Sequence, residues 1–149
     1  MSIHLLFVYG TLMSGQPNHR FLARATLLGP VRTAPLFRMI SLGGYPAIMR
    51  EATRGASAPG IEIVGELYEV DDETLAACDR LESHPTFYRR QEIALADGKF
   101  VQTYILNRTT LGTPIPSGNW REWERGGEED FEEEDTETRR RRVDEDGGE

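Results

Sequence analysis

The chain has 149 residues, 17 basic and 25 acidic side chains, and a formal net charge of −8. That length suits one domain with a single core. One cysteine, Cys78, excludes an internal disulfide and a multi-cysteine metal site. The charge is uneven: residues 121 to 149 hold 6 basic and 14 acidic side chains, whereas residues 1 to 120 hold 11 of each. The body is therefore neutral, and no basic face is implied that would make nucleic acid a partner. Met1-Ser2-Ile3-His4 carries no basic leader, and no apolar stretch has the length to span a bilayer. The expectation is a soluble cytoplasmic protein with no membrane partner.

In chain order, Ile3 to Tyr9 is a nearly continuous apolar run that stops at Gly10, as a central strand would. A short helix is expected after Pro17, over Asn18 to Arg24. Leu27 to Thr33 and Leu36 to Ile40 are β-prone runs set off by Gly29-Pro30, Pro35 and Gly43-Gly44. Ile61 to Val70 alternates, with Ile61, Ile63, Gly65, Leu67 and Tyr68 flanked by Glu62, Glu66 and Glu69. A clearer helix begins at Asp71 or Asp72, both good N-caps, and runs through Leu75, Cys78 and Leu81 to Ser83. His84-Pro85 ends it, because proline disfavours helix in the residue before it. Arg89 to Ala96 and Phe100 to Leu106 flank Asp97-Gly98, a hairpin signal. Five or more strands without regular helices between them predict a closed or strongly curved sheet, not a doubly wound one. Trp120 and Trp123 read as packing residues that close the body. From Arg125 onward nearly every residue is Glu, Asp, Arg or Gly, so residues 125–149 are expected to be a disordered charged tail.

Three segments have the chemistry of a site. Leu75, Cys78 and Glu82 share one helix face that is otherwise apolar. A carboxyl placed there, in the last helical turn, is pushed toward a higher pKa by burial and by the helix dipole. A general acid/base glutamate needs such a value near neutral pH. The pattern alone leaves open a surface glutamate paired with Arg89 or Arg90. In Tyr9-Gly10-Thr11-Leu12 a strand ends at a glycine, and successive N–H groups in such a turn can cup a carboxylate or phosphate. An ordinary strand-to-loop turn fits the same tetrapeptide. Gly43-Gly44-Tyr45-Pro46-Ala47 is either a loop that places Tyr45 over a pocket or simply a turn. His4, His19 and His84 have unrelated spacings, so no metal site is expected.

Phe7-Val8-Tyr9-Gly10-Thr11-Leu12, followed by Gly15-Gln16-Pro17-Asn18-His19, resembles the start of γ-glutamylcyclotransferase-like proteins. It looks closest to their γ-glutamylamine cyclotransferase branch. Asp79-Arg80-Leu81-Glu82, then Pro85 and Tyr88-Arg89, resembles the second signature of that family. The resemblance covers about residues 3 to 123. It implies an α+β fold, a small mixed β-barrel with a few helices, as a domain over residues 1–124. It implies cyclisation of a γ-glutamyl group to 5-oxoproline with release of an amine, without a cofactor. Glu82 would be the acid/base residue. Tyr9, Gly10, Thr11 and Leu12 would hold the amino-acid end of a small γ-glutamyl substrate, with Tyr45 and Tyr88 as further substrate-binding residues. One departure is Ser83, where the family often has glycine. A γ-glutamyl-amino-acid substrate, a non-catalytic module for a small carboxylate, and an interaction role for the tail stay open. So does the oligomeric state, a monomer included.

Overall fold

A computed structural model describes residues 2–51, 60–108 and 110–129. The chain divides into two units, the first running from Met1 to Asn119 and the second starting at Trp120.

The first unit is built on two sheets. The strands are β1 (Ile3–Val8), β2 (Thr26–Arg32), β3 (Phe37–Ser41), β4 (Pro46–Arg50), β5 (Val64–Asp71), β6 (Tyr88–Ala94), β7 (Phe100–Leu106) and β8 (Thr113–Pro114). Five of them form a mixed sheet in the order β2-β5-β1-β7-β6, and β4-β3-β8 form a small second sheet. The β1–β7 pairing is parallel, and the β1–β5, β2–β5 and β6–β7 pairings are antiparallel. Helix α1 (Asp72–Leu81) follows β5 and packs on β5 and β1.

The large sheet is strongly curved but does not close along its length. Among the described residues, its outer strands meet at one end only. There Thr33 bridges Leu95, the Ala34 N–H donates to the Ala94 carbonyl at 3.0 Å, and the Ala96 N–H donates to the Arg32 carbonyl at 2.9 Å. Of the two edge strands, β2 accommodates Pro30, which cannot donate to a neighbour, and carries a register shift between Leu27 and Gly29. The core draws on both sheets, with Leu6, Phe7, Phe37, Ile48, Ile63 and Ile93 fully buried. β4 of the small sheet packs on β7 of the large one.

The α+β class, the central first strand and the capped helix agree with the sequence reading. The Asp71 side chain caps α1, accepting from the Thr74 N–H at 2.7 Å. Several boundaries differ. The helix expected over Asn18 to Arg24 is a single 3-10 turn, His19–Leu22. α1 stops at Leu81, two residues before Ser83. Pro46 and Ala47, read as part of a loop or turn, open strand β4, which runs to Arg50. Gly43-Gly44 forms the tip of the β3–β4 hairpin, where the Leu42 N–H donates to the Tyr45 carbonyl at 2.9 Å. Proline is tolerated at Pro46 because it opens an edge strand.

Helix α2 (Trp120–Glu129) was not expected. Residues 125 to 129, read in sequence as the start of the tail, are the end of α2, with Gly126 and Gly127 inside the helix despite their low helix propensity. The rest of that tail, residues 130 to 149, lies outside the described residues. Among the described residues no helix is long and apolar enough to cross a membrane.

Candidate active site

Where β1 ends, the chain must leave the sheet beneath the β3–β4 hairpin. A methyl group on Gly10 would lie 2.7 Å from Pro46 Cγ, so a glycine is needed here for the approach of β4. After Gly10 the chain makes two tight turns, the Met13 N–H donating to the Gly10 carbonyl and the Gln16 N–H to the Met13 carbonyl, each at 3.0 Å, and the Asn18 N–H closes the loop on the Thr11 carbonyl at 2.9 Å. The Asn18 side-chain amide also donates to Thr11 Oγ1 at 3.0 Å. The middle of the loop is held by Glu66 of β5. Its carboxylate accepts from the Ser14 N–H at 2.8 Å, the Ser14 hydroxyl at 2.6 Å and the Tyr68 hydroxyl at 2.9 Å. Glu66, read in sequence as one of the acids flanking an apolar strand, is 8% exposed. With the loop so fixed, the N–H groups of Gly10, Thr11 and Leu12 make no hydrogen bond among the described residues. All three residues line a cavity of about 620 Å³.

Glu82 reaches the same cavity from the C-terminal end of α1. Leu75 and Cys78 on its face are buried, as the spacing predicts. The helix closes in a Schellman motif: the Ser83 N–H donates to the Arg80 carbonyl at 3.1 Å and the His84 N–H to the Asp79 carbonyl at 2.9 Å. Ser83 is left-handed, at φ 55°. The serine that departs from the family glycine therefore keeps the backbone a glycine would adopt.

The Glu82 carboxyl makes no ion pair or hydrogen bond among the described residues. Arg90, one of its candidate partners, instead forks onto Asp79 with two bonds of 3.0 Å and donates to Gln102 at 2.7 Å. Burial pushes the Glu82 carboxyl from the ordinary 4.5 up to about 7. The C-terminal end of the helix acts in the same direction.

Three phenols surround that carboxyl. The Tyr9 hydroxyl donates to the Tyr104 carbonyl, the Tyr88 hydroxyl to the Pro46 carbonyl, and the Tyr104 hydroxyl to Asp79, each at 2.7 Å. Burial first, and nearby acids including Glu82 second, push all three well above the usual phenol range. They stay protonated, so among these four groups Glu82 alone exchanges a proton near neutral pH. Tyr45, 41% exposed, stands at the rim with its ring 6.3 Å from Phe87 in an edge-on arrangement. Arg108 lies over the other ring of that pair, its guanidinium carbon 4.8 Å from the Phe87 centroid.

The structure thus gathers every residue singled out in sequence, Tyr9, Gly10, Thr11, Leu12, Tyr45, Glu82 and Tyr88, around one cavity. Sequence reasoning missed Tyr104, Phe87 and Arg108, which also line it, and held Pro46 only as part of the Gly43 to Ala47 segment. Asn18 had a signal, since it lies in the Gly15 to His19 run. Tyr104 and Arg108 had none, because they come from the far end of β7 and the residues after it.

The curved mixed sheet and this cavity define a small α+β protein with a site sized for a small molecule. The chain belongs to the gamma-glutamyl cyclotransferase, AIG2-like family, whose pattern it matches over residues 6–122. A relative from Vibrio cholerae is 39% identical over 118 residues, covering 78% of this chain and 95% of that protein. The Bos taurus protein named gamma-glutamylaminecyclotransferase is 36% identical over 98 residues, covering 61% of this chain and 55% of that one. The crystal structure of an aig2-like protein from Mus musculus superposes with a TM-score of 0.57 at 28% identity, over 75% of this chain and 81% of that one.

Proposed function

We propose that the chain cyclises a γ-glutamyl compound to 5-oxoproline and releases an amine, with Glu82 carrying the proton. One observation carries this reading. A carboxyl with a pKa of about 7 shares a cavity with three consecutive N–H groups, all of them without a hydrogen-bond partner among the described residues. The N–H groups of Gly10, Thr11 and Leu12 suit the substrate's α-carboxylate. The carboxyl of Glu82 suits its α-ammonium.

The α-amine must lose a proton before it can attack. Glu82 takes that proton. The nitrogen lone pair then forms a bond to the γ-carbonyl carbon, closing a five-membered ring, while the carbonyl π electrons move onto oxygen. As the carbonyl re-forms, the bond to the departing nitrogen breaks; Glu82 returns the first proton to that nitrogen, then takes the second proton from the ring nitrogen and passes it on, so that the lactam keeps one hydrogen and the amine leaves as an ammonium. No water is consumed and no cofactor takes part. Nucleophile and electrophile belong to one molecule, so the cavity's other task is to hold the glutamyl chain folded. Tyr9 and Tyr88 serve this as walls, since their hydroxyl protons are committed to backbone carbonyls.

Glu82→Gln keeps the shape and removes the base. Release of 5-oxoproline from γ-glutamyl substrates is expected to fall by at least about 10²-fold in kcat. In the wild type, kcat/KM is expected to rise with pH about a midpoint near 7, where the carboxyl ionises. Near wild-type release by the Gln variant would overturn the mechanism.

A further inference from the structure

The reaction leaves one half of the substrate unassigned, the part that departs with the amine. On the cyclisation reading, the glutamyl half lies between the Gly10 to Leu12 turn and Glu82, both of which line the cavity. The departing half must therefore extend toward the rim. The rim is formed by Tyr45 and Phe87, with Arg108 stacked on Phe87. Arg108 and Glu82 are the two charged side chains among the described lining residues.

Arg108 differs from the other arginines near the site. Arg90 is neutralised by Asp79. Arg108 has no acidic partner among the described residues. Its guanidinium carbon lies over the Phe87 ring, 4.8 Å from the centroid, a contact that attracts the cation without consuming its N–H donors. An arginine fixed this way is ready to take a carboxylate in a two-point fork. The neighbouring ring edges suit the apolar stem between such a carboxylate and the scissile nitrogen.

We infer that Arg108, held on Phe87, selects substrates whose departing amine carries a carboxylate, so that amino acids are released in preference to simple amines. The inference rests on the cyclisation reading above.

The test compares substrates that differ only in that carboxylate. One pair is γ-glutamyl-alanine and γ-glutamyl-ethylamine. The second is ε-(γ-glutamyl)-lysine and γ-glutamyl-cadaverine, which moves the carboxylate further from the scissile nitrogen. In at least one pair the wild type is expected to favour the acid by about tenfold in kcat/KM, the typical worth of a charge-assisted bond. Arg108→Gln should bring that ratio close to one, chiefly by raising KM for the acid. Arg108→Lys should retain part of the preference. Because each ratio is taken on one enzyme preparation, partial misfolding cancels. A wild type with no preference in either pair, or an Arg108→Gln variant that keeps the preference, would overturn the inference. Failure of all four substrates to yield 5-oxoproline would instead overturn the cyclisation reading, and this inference with it.

Discussion

The Glu82 carboxyl sits at the end of a helix face made by Leu75 and Cys78, both buried. The fold meets a cost there. In the folded chain the group binds its proton with a pKa of about 7, against an ordinary 4.5. The folded state therefore holds the proton more tightly than the unfolded state does. Stability from this group is highest below pH 4.5, falls as pH rises from 4.5 to about 7, and is lowest above that. Discounted for the part of the side chain that solvent still reaches, the cost above neutrality is on the order of 2 kcal/mol. Glu82→Gln should accordingly raise the melting temperature at pH 8 and leave it little changed at pH 4. Equal gains at both pH values would show that burial of a charge is not the cause. Ser83 carries a second, smaller cost, a non-glycine residue at φ 55°. Ser83→Gly should stabilise the chain by ~0.5–1 kcal/mol in denaturant titration, with 5-oxoproline release retained. Destabilisation would mean that the serine side chain contributes something its backbone angle does not show.

Among the elements, the turn from Gly10 to Asn18 depends on a strand far away in sequence. Glu66 of β5 holds Ser14 by both its N–H and its hydroxyl, at 2.8 and 2.6 Å. Replacing that carboxylate by an amide removes the charge that strengthens both bonds and turns one acceptor into a donor. The free N–H groups of the turn would then be less well aimed. Glu66→Gln is expected to raise KM for a γ-glutamyl substrate by about tenfold, a loss of ~1.4 kcal/mol, with a smaller effect on kcat. A fall in kcat at constant KM would place Glu66 in the proton transfer and not in the turn. The alternating pattern of Ile61 to Val70 showed the strand but put Glu66 among its flanking acids. Period-2 alternation identifies which residues share a face and cannot report that a loop covers it. β4 was hidden for a related reason: Gly43-Gly44 and Pro46 read as loop, and only pairing with β3 makes the segment a strand.

For the whole molecule, the described lining of the cavity runs from Phe7 to Arg108 in sequence, all of it within the first unit. Residues 130 to 149 hold 4 basic and 10 acidic side chains. Ending the chain at Glu129 should remove that charge while leaving the melting temperature and the rate of 5-oxoproline release within error of the full chain. A large loss of either would assign the tail a part in the fold or in the site.

The sequence by itself determined the first strand, the capped helix and the line of residues from Tyr9 to Leu12, and its family resemblance implied the α+β class. It also marked Glu82, because helical periodicity puts a carboxyl on an apolar face within a single element. Local order is enough for such features. Only the tertiary structure decided that Arg90 belongs to Asp79 and leaves Glu82 without a partner among the described residues, and that Pro46 presses on Gly10. It alone decided that Glu66 is buried beneath the turn and that Tyr104 and Arg108 arrive at the cavity from β7 and beyond. Each of these depends on contacts between segments distant in the chain, and no spacing within one segment encodes them.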